Sequence, residues 1–185
     1  MSKRIEIVPY DSNWPRQFDV ERERIAAALG PVALRIDHNG STSVPGLAAK
    51  PIIDIQISVR DLQPMGAYST GLERLGYIHV PHPDDAFCPF FHRPSSWPHT
   101  HHVHVVPSDG EEERRTLAFR DYLREHPTCA HEYEDLKRSL ATQHNAADFS
   151  SQQAYAEAKG AFIEDVIHRA LAAGYPRHIL KGRSC

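Results

Sequence analysis

Short strand-like apolar runs, broken by two helical stretches, fill the first 110 residues, and helical spacing takes over after that. Ile5-Glu6-Ile7-Val8 reads as a short strand ended by Pro9. Asp11-Ser12-Asn13-Trp14-Pro15 starts a helix with proline in its first turn, Phe18, Ile25 and Leu29 share a face of it, and Gly30-Pro31 stops it. Residues 33–38 form the next strand. Residues 52–59 are β-branched and apolar enough for a buried one. A helix over 64–75 is interrupted by Gly66 and Gly71 and closed by Gly76. Strand-like segments follow at 77–80, 87–92 and 101–106, separated by the turns Pro81-His82-Pro83-Asp84-Asp85 and Pro94-Ser95-Ser96-Trp97-Pro98.

After Gly110 the pattern changes to three helices, over 111–125, 127–144 and 150–173. Acids fill the first turn of the first, and Tyr133, Leu136 and Leu140 share a face of the second. The third opens with a capping-box pattern at Ser150-Ser151-Gln152-Gln153 and carries the stripe Phe162, Ile163, Val166 and Ala170. Strands first and helices last predict an α+β fold with a mixed or antiparallel sheet and a helical C-terminal part. One domain is expected over 1–173, with 174–185 a loose tail.

Composition adds exclusions. A chain of 185 residues with 41% hydrophobic and 24% charged positions suits one soluble globular domain. A net charge of −3 with neutral histidines argues against a general nucleic-acid binder or a binder of anionic membranes. No apolar run approaches the roughly 18 residues of a membrane span, and no secretory pattern follows Lys3-Arg4. Three cysteines (Cys88, Cys129 and Cys185), none in a CxxC spacing, predict neither a disulfide framework nor a cysteine-rich zinc site and make the cytoplasm the expected compartment. Histidine is the unusual residue: of 13, seven lie between His79 and His104.

The candidate chemistry gathers at the run His38-Asn39-Gly40-Ser41-Thr42-Ser43-Val44-Pro45-Gly46-Leu47-Ala48-Ala49-Lys50-Pro51-Ile52-Ile53-Asp54-Ile55. A glycine–serine turn can cradle an anion on backbone N–H groups and hydroxyls; it can equally be a capped turn into a short helix. The spacing is not that of a phosphate-binding Walker loop, and Ser41 and Ser43 lack a nucleophile elbow. Asp54 shares a strand face with Gln56, and an acid in so apolar a strand needs a partner, either a salt bridge or a bound ion. His102 and His104 fall on one face of the strand over 101–106, where two imidazoles at i, i+2 can bind a transition metal, contact phosphate or serve structure alone. His82, His92 and His99 lie in loops or near strand ends, where exposure is expected. Arg120 with Arg124, and Tyr155 with Lys159, share helix faces that can reach a phosphate or simply face solvent.

That central run, with Val8-Pro9-Tyr10 and Trp14, His102-Val103-His104-Val105, Phe119-Arg120-Asp121-Tyr122-Leu123-Arg124-Glu125-His126-Pro127, and Tyr155 with Lys159, resembles the GrpB family over about residues 5–170. The resemblance implies a nucleotidyltransferase-like fold, a small mixed sheet flanked by helices, in a module also found attached to a dephospho-coenzyme A kinase. It implies a protein that binds a nucleotide or another phosphorylated small molecule, with transfer of a nucleotidyl group as the reaction if it is an enzyme. Gly40, Ser41, Thr42 and Ser43 would then hold phosphates and Lys50, Arg120, Tyr155 and Lys159 the remaining negative charge. Asp54 would be the catalytic carboxylate and, with His102 and His104, a ligand of Mg²⁺, Mn²⁺ or Zn²⁺. Two departures stand out. Nucleotidyltransferases place two acids at i, i+2 on the strand after the turn, whereas Gln56 occupies the second place. Asn39 stands where the family commonly has an apolar residue. A degenerate member that binds ligand or metal without turnover is the alternative.

Overall fold

The structure, a computed structural model of the chain, describes residues 5–144 and 149–177. The chain divides into two compact units: Met1–Tyr10, Val44–Pro51 and Arg114–Cys185 form one, and Asp11–Ser43 and Ile52–Glu113 form the other. The split falls inside the helix that follows the last strand.

The second unit holds a five-stranded sheet. Its strands are β1 (Arg35–Asn39), β2 (Ile53–Val59), β3 (Ile78–Val80), β4 (Phe90–Arg93) and β5 (His101–Pro107), in the order β1-β2-β5-β4-β3. β2 and β5 run parallel and every other neighbouring pair is antiparallel, so the sheet is mixed. Two helices, α1 (Trp14–Leu29) and α2 (Gly66–Arg74), accompany it. Alternation along β2 sends Ile53, Ile55 and Ile57 to the face shared with Val103, Val105 and Phe91, and all six side chains are buried. On α1, Phe18, Ile25 and Leu29 form the expected buried stripe. Gly71, which looks like a weakness in α2, is a packing device: a Cβ there would lie 2.6 Å from Leu29 Cδ2. A buried polar tie joins α1 to the sheet, because Glu21 accepts hydrogen bonds from Arg93 (2.7 Å) and the Tyr77 hydroxyl (2.9 Å).

The helical unit contains most of α3 (Glu111–Glu125), with α4 (Pro127–Gln143), α5 (Phe149–Glu157) and α6 (Gly160–Ala172). Its core joins Leu123, Cys129, Tyr133 and Val166 to Val44 and Leu47, with Leu136, Phe162 and Ile163 packed against them. α4 grips the Val44–Pro51 segment by its backbone: Glu134 accepts from the Ala48 N–H (3.0 Å) and the buried Lys137 ammonium donates to the Ala48 carbonyl.

Two elements differ from the sequence reading, and an expected turn gains definition. Residues 5–8 form no strand, only one antiparallel bridge from Val8 to Ala49. At the next hydrogen-bonded pairs Pro51 lacks an N–H opposite Glu6, and the Leu47 N–H is taken by Val44 O (3.2 Å), so the ladder stops. The expected helix over 150–173 is two, α5 and α6. The turn between them tightens where the Lys159 N–H bonds Ala156 O (3.4 Å), and Gly160, a poor helix former, follows. Pro83–Ala86 is a 3-10 turn, capped by His82. The Ser150 and Gln152 side chains of the capping-box pattern lie outside the described residues, as do residues 178–185 of the expected tail.

Candidate functional site

Strand register aligns the polar side chains that the sequence separates. Asn39 pairs with Asp54, Asp54 with His102, and His102 with His92, which makes one row across four strands. The next row is Asp37, Gln56, His104 and Phe90. Since residues two apart point the same way, both rows lie on the face opposite Ile53, Ile55 and Ile57.

The turn after β1 completes the first row. Gly40 has φ +64°, and a Cβ built on it would sit 2.2 Å from Asp54 Oδ2, so the Asp54 carboxylate occupies the space a side chain would need. A 3-10 turn over Ser41–Ser43 follows. Ser43 donates its hydroxyl to Gly40 O (2.6 Å). Thr42 donates to Ile52 O (3.2 Å) and lies 3.0 Å from His38 Nε2, and His38 stacks on Phe18 at 4.7 Å. The Thr42 and Ser43 hydroxyls are thus bonded within the loop and its supports, and Ser41 is the less buried of the three.

Asp54 Oδ1 lies 3.3 Å from His102 Nδ1, with side chains 30% and 19% exposed respectively. His102 Nε2 continues to His99 Nδ1 at 3.1 Å, and His99 stacks on His92 with ring centroids 3.8 Å apart. Donation from His102 Nδ1 to the carboxylate leaves Nε2 to accept from His99. His92 is buried, not exposed as expected, with Nδ1 3.0 Å from Pro94 O. His99 is half-buried. Thr100 N–H bonds Arg93 O (2.8 Å), folding 94–99 into a connection that delivers His99 beside the strand.

The second row is closed at Gln56. Gln56 is 1% exposed, and its Oε1 accepts from Asn39 Nδ2 at 3.2 Å. This is the consequence of Asn39 that the sequence did not disclose. His104 Nδ1 faces the Cys88 thiol at 3.7 Å, and the Phe90 ring packs against both His104 (5.0 Å) and His102 (5.1 Å). Burial pushes the His104 imidazole down to about 4, so it is neutral at pH 7, and burial pushes the Cys88 thiol up to about 12, leaving it protonated.

Of the sequence-predicted residues, Gly40, Ser41, Thr42, Ser43, Asp54, His102 and His104 belong to the sheet unit. The helical unit holds the others. There Lys50 Nζ and Lys159 Nζ lie 4.8 and 4.5 Å from the centroid of the Tyr155 ring, and Arg120 bonds Asp121 at 2.7 Å.

The GrpB protein family model matches residues 4–169. The chain belongs to the GrpB family. A UPF0157 protein of Halalkalibacterium halodurans is 41% identical over 91% of this chain and 83% of its own length. A GrpB relative of another kind is a dephospho-CoA kinase of Mycolicibacterium paratuberculosis, 31% identical over 90% of this chain, which spans 46% of that protein. The crystal structure of the conserved protein GrpB from Enterococcus faecalis superposes with a TM-score of 0.79 at 35% identity, over 91% of this chain and 98% of that one. A cytoplasmic RNA terminal U-transferase is a fainter likeness, with a TM-score of 0.47 and 16% identity over 76% of this chain and 43% of that one, too faint to carry weight.

A two-metal nucleotidyltransferase centre needs paired carboxylates for hard cations. This GrpB donor set does not fit one: Asp54 is the single acid on β2, and Gln56 is sealed in its place. Among the described residues, no three His, Cys, Asp or Glu side chains are arranged to hold a metal ion. Among the described residues, too, no helix is long and apolar enough to cross a membrane.

Proposed function

We propose that the sheet unit binds a nucleotide or another phosphorylated small molecule at the Gly40–Ser41 turn beside Asp54, in the cytoplasm. The observation that carries this reading is the contact between Gly40 and Asp54 Oδ2, which leaves no room for a side chain between turn and carboxylate. A left-handed residue followed by a 3-10 turn is the backbone pattern that concentrates N–H groups for an anion. Asp54, joined to His102, is then placed to accept a proton from a hydroxyl of the ligand. Nucleotidyl transfer is the reaction this placement would serve, with Asp54 as the catalytic carboxylate. In the helical unit, Lys50 and Lys159, gathered at Tyr155, are its own candidates for holding negative charge.

The second reading, a binder without turnover, is favoured by Gln56, whose neutral amide removes one full charge from the expected acid pair. Incubation with each nucleoside triphosphate, with and without Mg²⁺, Mn²⁺ or Zn²⁺, separates the two. Pyrophosphate release that disappears in Asp54→Asn supports transfer. Thermal stabilisation without release supports the binder. The absence of any shift with every nucleotide overturns the phosphate-site reading.

A further inference from the structure

The five-stranded sheet has two edges. Among the described residues, β1 pairs with β2 alone and β3 with β4 alone. An outer strand presents a row of backbone N–H and C=O groups with which another strand can pair. β1 is the longer edge, with five residues against three. Its register with β2 sets Ile36 on the face of Ile57 and sets Arg35 and Asp37 on the opposite face. The two charged side chains are 33% and 13% exposed and pair with each other within the strand at 2.6 Å. Leu34, immediately before the strand, is apolar yet 50% exposed. Charge of one sign or a proline blunts an edge against association. Opposite charges two residues apart instead make β1 complementary to itself.

We propose that β1 pairs antiparallel with β1 of a second copy of this chain, about a twofold axis through Ile36. The groups that an edge offers alternate along it, so the axis passes through a residue and not between two. An axis through Arg35 or through Asp37 sets that residue opposite its own copy, and like charges directly opposite are destabilising. An axis through Ile36 sets Arg35 of each copy opposite Asp37 of the other, with Ile36 against Ile36 between them. The same register brings the exposed Leu34 alongside the second copy's strand. A contact of this kind is isologous and closes at two copies, making a dimer and not a filament. It is short, so the dimer stands in a concentration-dependent equilibrium with the monomer. β3 offers no equivalent: Ile78, His79 and Val80 hold no pair of opposite charges, and His79 already lies 3.0 Å from an Asp85 carboxylate oxygen. The inference does not depend on nucleotide binding.

The test is sedimentation equilibrium of the full-length protein over a range of concentrations. The wild type is expected to reach twice the chain mass as concentration rises. Arg35→Asp makes both charged positions of the strand acidic, and Asp37→Arg makes both basic. Each variant alone should therefore stay monomeric where the wild type is dimeric. Mixed in equal amounts, the two should dimerise with each other, because an acidic strand then faces a basic one. The ion pair within the strand is broken in both variants, so this rescue reads only the contact between copies. Circular dichroism checks the folding of each. Should a single reversal not fold, the double variant Arg35→Asp, Asp37→Arg keeps the internal pair. It should dimerise with itself and, by native mass spectrometry, not exchange subunits with the wild type. A wild type that stays monomeric, a dimer indifferent to the single reversals, a mixture that stays monomeric, or free exchange between double variant and wild type would overturn the proposal.

Discussion

Two rows of side chains run next to each other across the same sheet face, and they treat charge differently. In one, Asp54 and His102 remain partly exposed and carry the carboxylate and an imidazole. In the other, two residues along the same strands, Gln56 is sealed by Asn39, and His104 is held neutral between Cys88 and Phe90. The position where a second acid would complete a hard-cation site has become part of the packed interior. At the centre of the second row Gln56 and His104 are neutral, and the acid at its end, Asp37, is paired with Arg35 (2.6 Å), because a buried charge without a partner costs several kcal/mol. The contrast shows where this sheet face keeps its accessible carboxylate: beside the Gly40 turn, and not at Gln56.

The largest expected effect comes from breaking the open row at its turn. Gly40→Ala imposes a side chain at φ +64° and drives its Cβ into Asp54 Oδ2. A loss of about 2–5 kcal/mol is expected by chemical denaturation. Gln56→Asp reverses the character of the closed row. It places a carboxylate at a position 1% exposed and should cost about 2–4 kcal/mol at pH 7. Recovery of part of that loss on adding Mg²⁺ would show that the acid pair can be rebuilt.

A smaller cost, about 1–3 kcal/mol, is expected for Thr42→Val, which leaves Ile52 O and His38 Nε2 without the hydroxyl between them. Calorimetric melting would register it. The pH dependence is weaker again. The His104 imidazole titrates near 6.5 in the unfolded chain and at about 4 in the fold, because burial disfavours its charged form. As pH falls the unfolded chain takes up the proton first, so this contribution is intact above about 6.5 and is lost between there and about 4. Asp54 and His102 are the charged or titratable groups that act on it, Asp54 raising and His102 lowering it, and Cys88 faces it as a neutral thiol. His101, also lowered to about 4 by burial and then by Arg93, adds a second component in the same window. His104→Phe should flatten part of the slope by about 1–2 kcal/mol, measured as denaturation midpoints at successive pH values. A slope unchanged in that variant would assign it to His101.

Much of the fold was legible because local signals agreed. The acids at Glu111, Glu112 and Glu113 and the proline after His126 bound α3 at its observed ends, and the isoleucine alternation places β2 within one residue. Where pairing or packing decided, the sequence was silent. Residues 5–8 carry a strand pattern, but Pro51 and the Leu47 turn leave only a single bridge, from Val8 to Ala49. Gly71 looked like a helix breaker until Leu29 was found against it. The site divides in the same way. Alternation alone predicted that Asp54 and Gln56 share a face, as do His102 and His104. Only the parallel register of β2 and β5 brings the two pairs opposite each other. His99 was missed because its partner is set by the fold-back of 94–99, which shows in the sequence only as Pro94 and Pro98 bracketing a short connection.

The most direct measurement is a crystal structure grown with a nucleoside triphosphate, read at the Gly40–Ser41 turn and Asp54. Phosphate oxygens on the turn beside Asp54, with the Gln56 amide still buried against Asn39, are the predicted result. A nucleotide bound elsewhere, with the Gly40–Asp54 contact empty of ligand, would contradict the account.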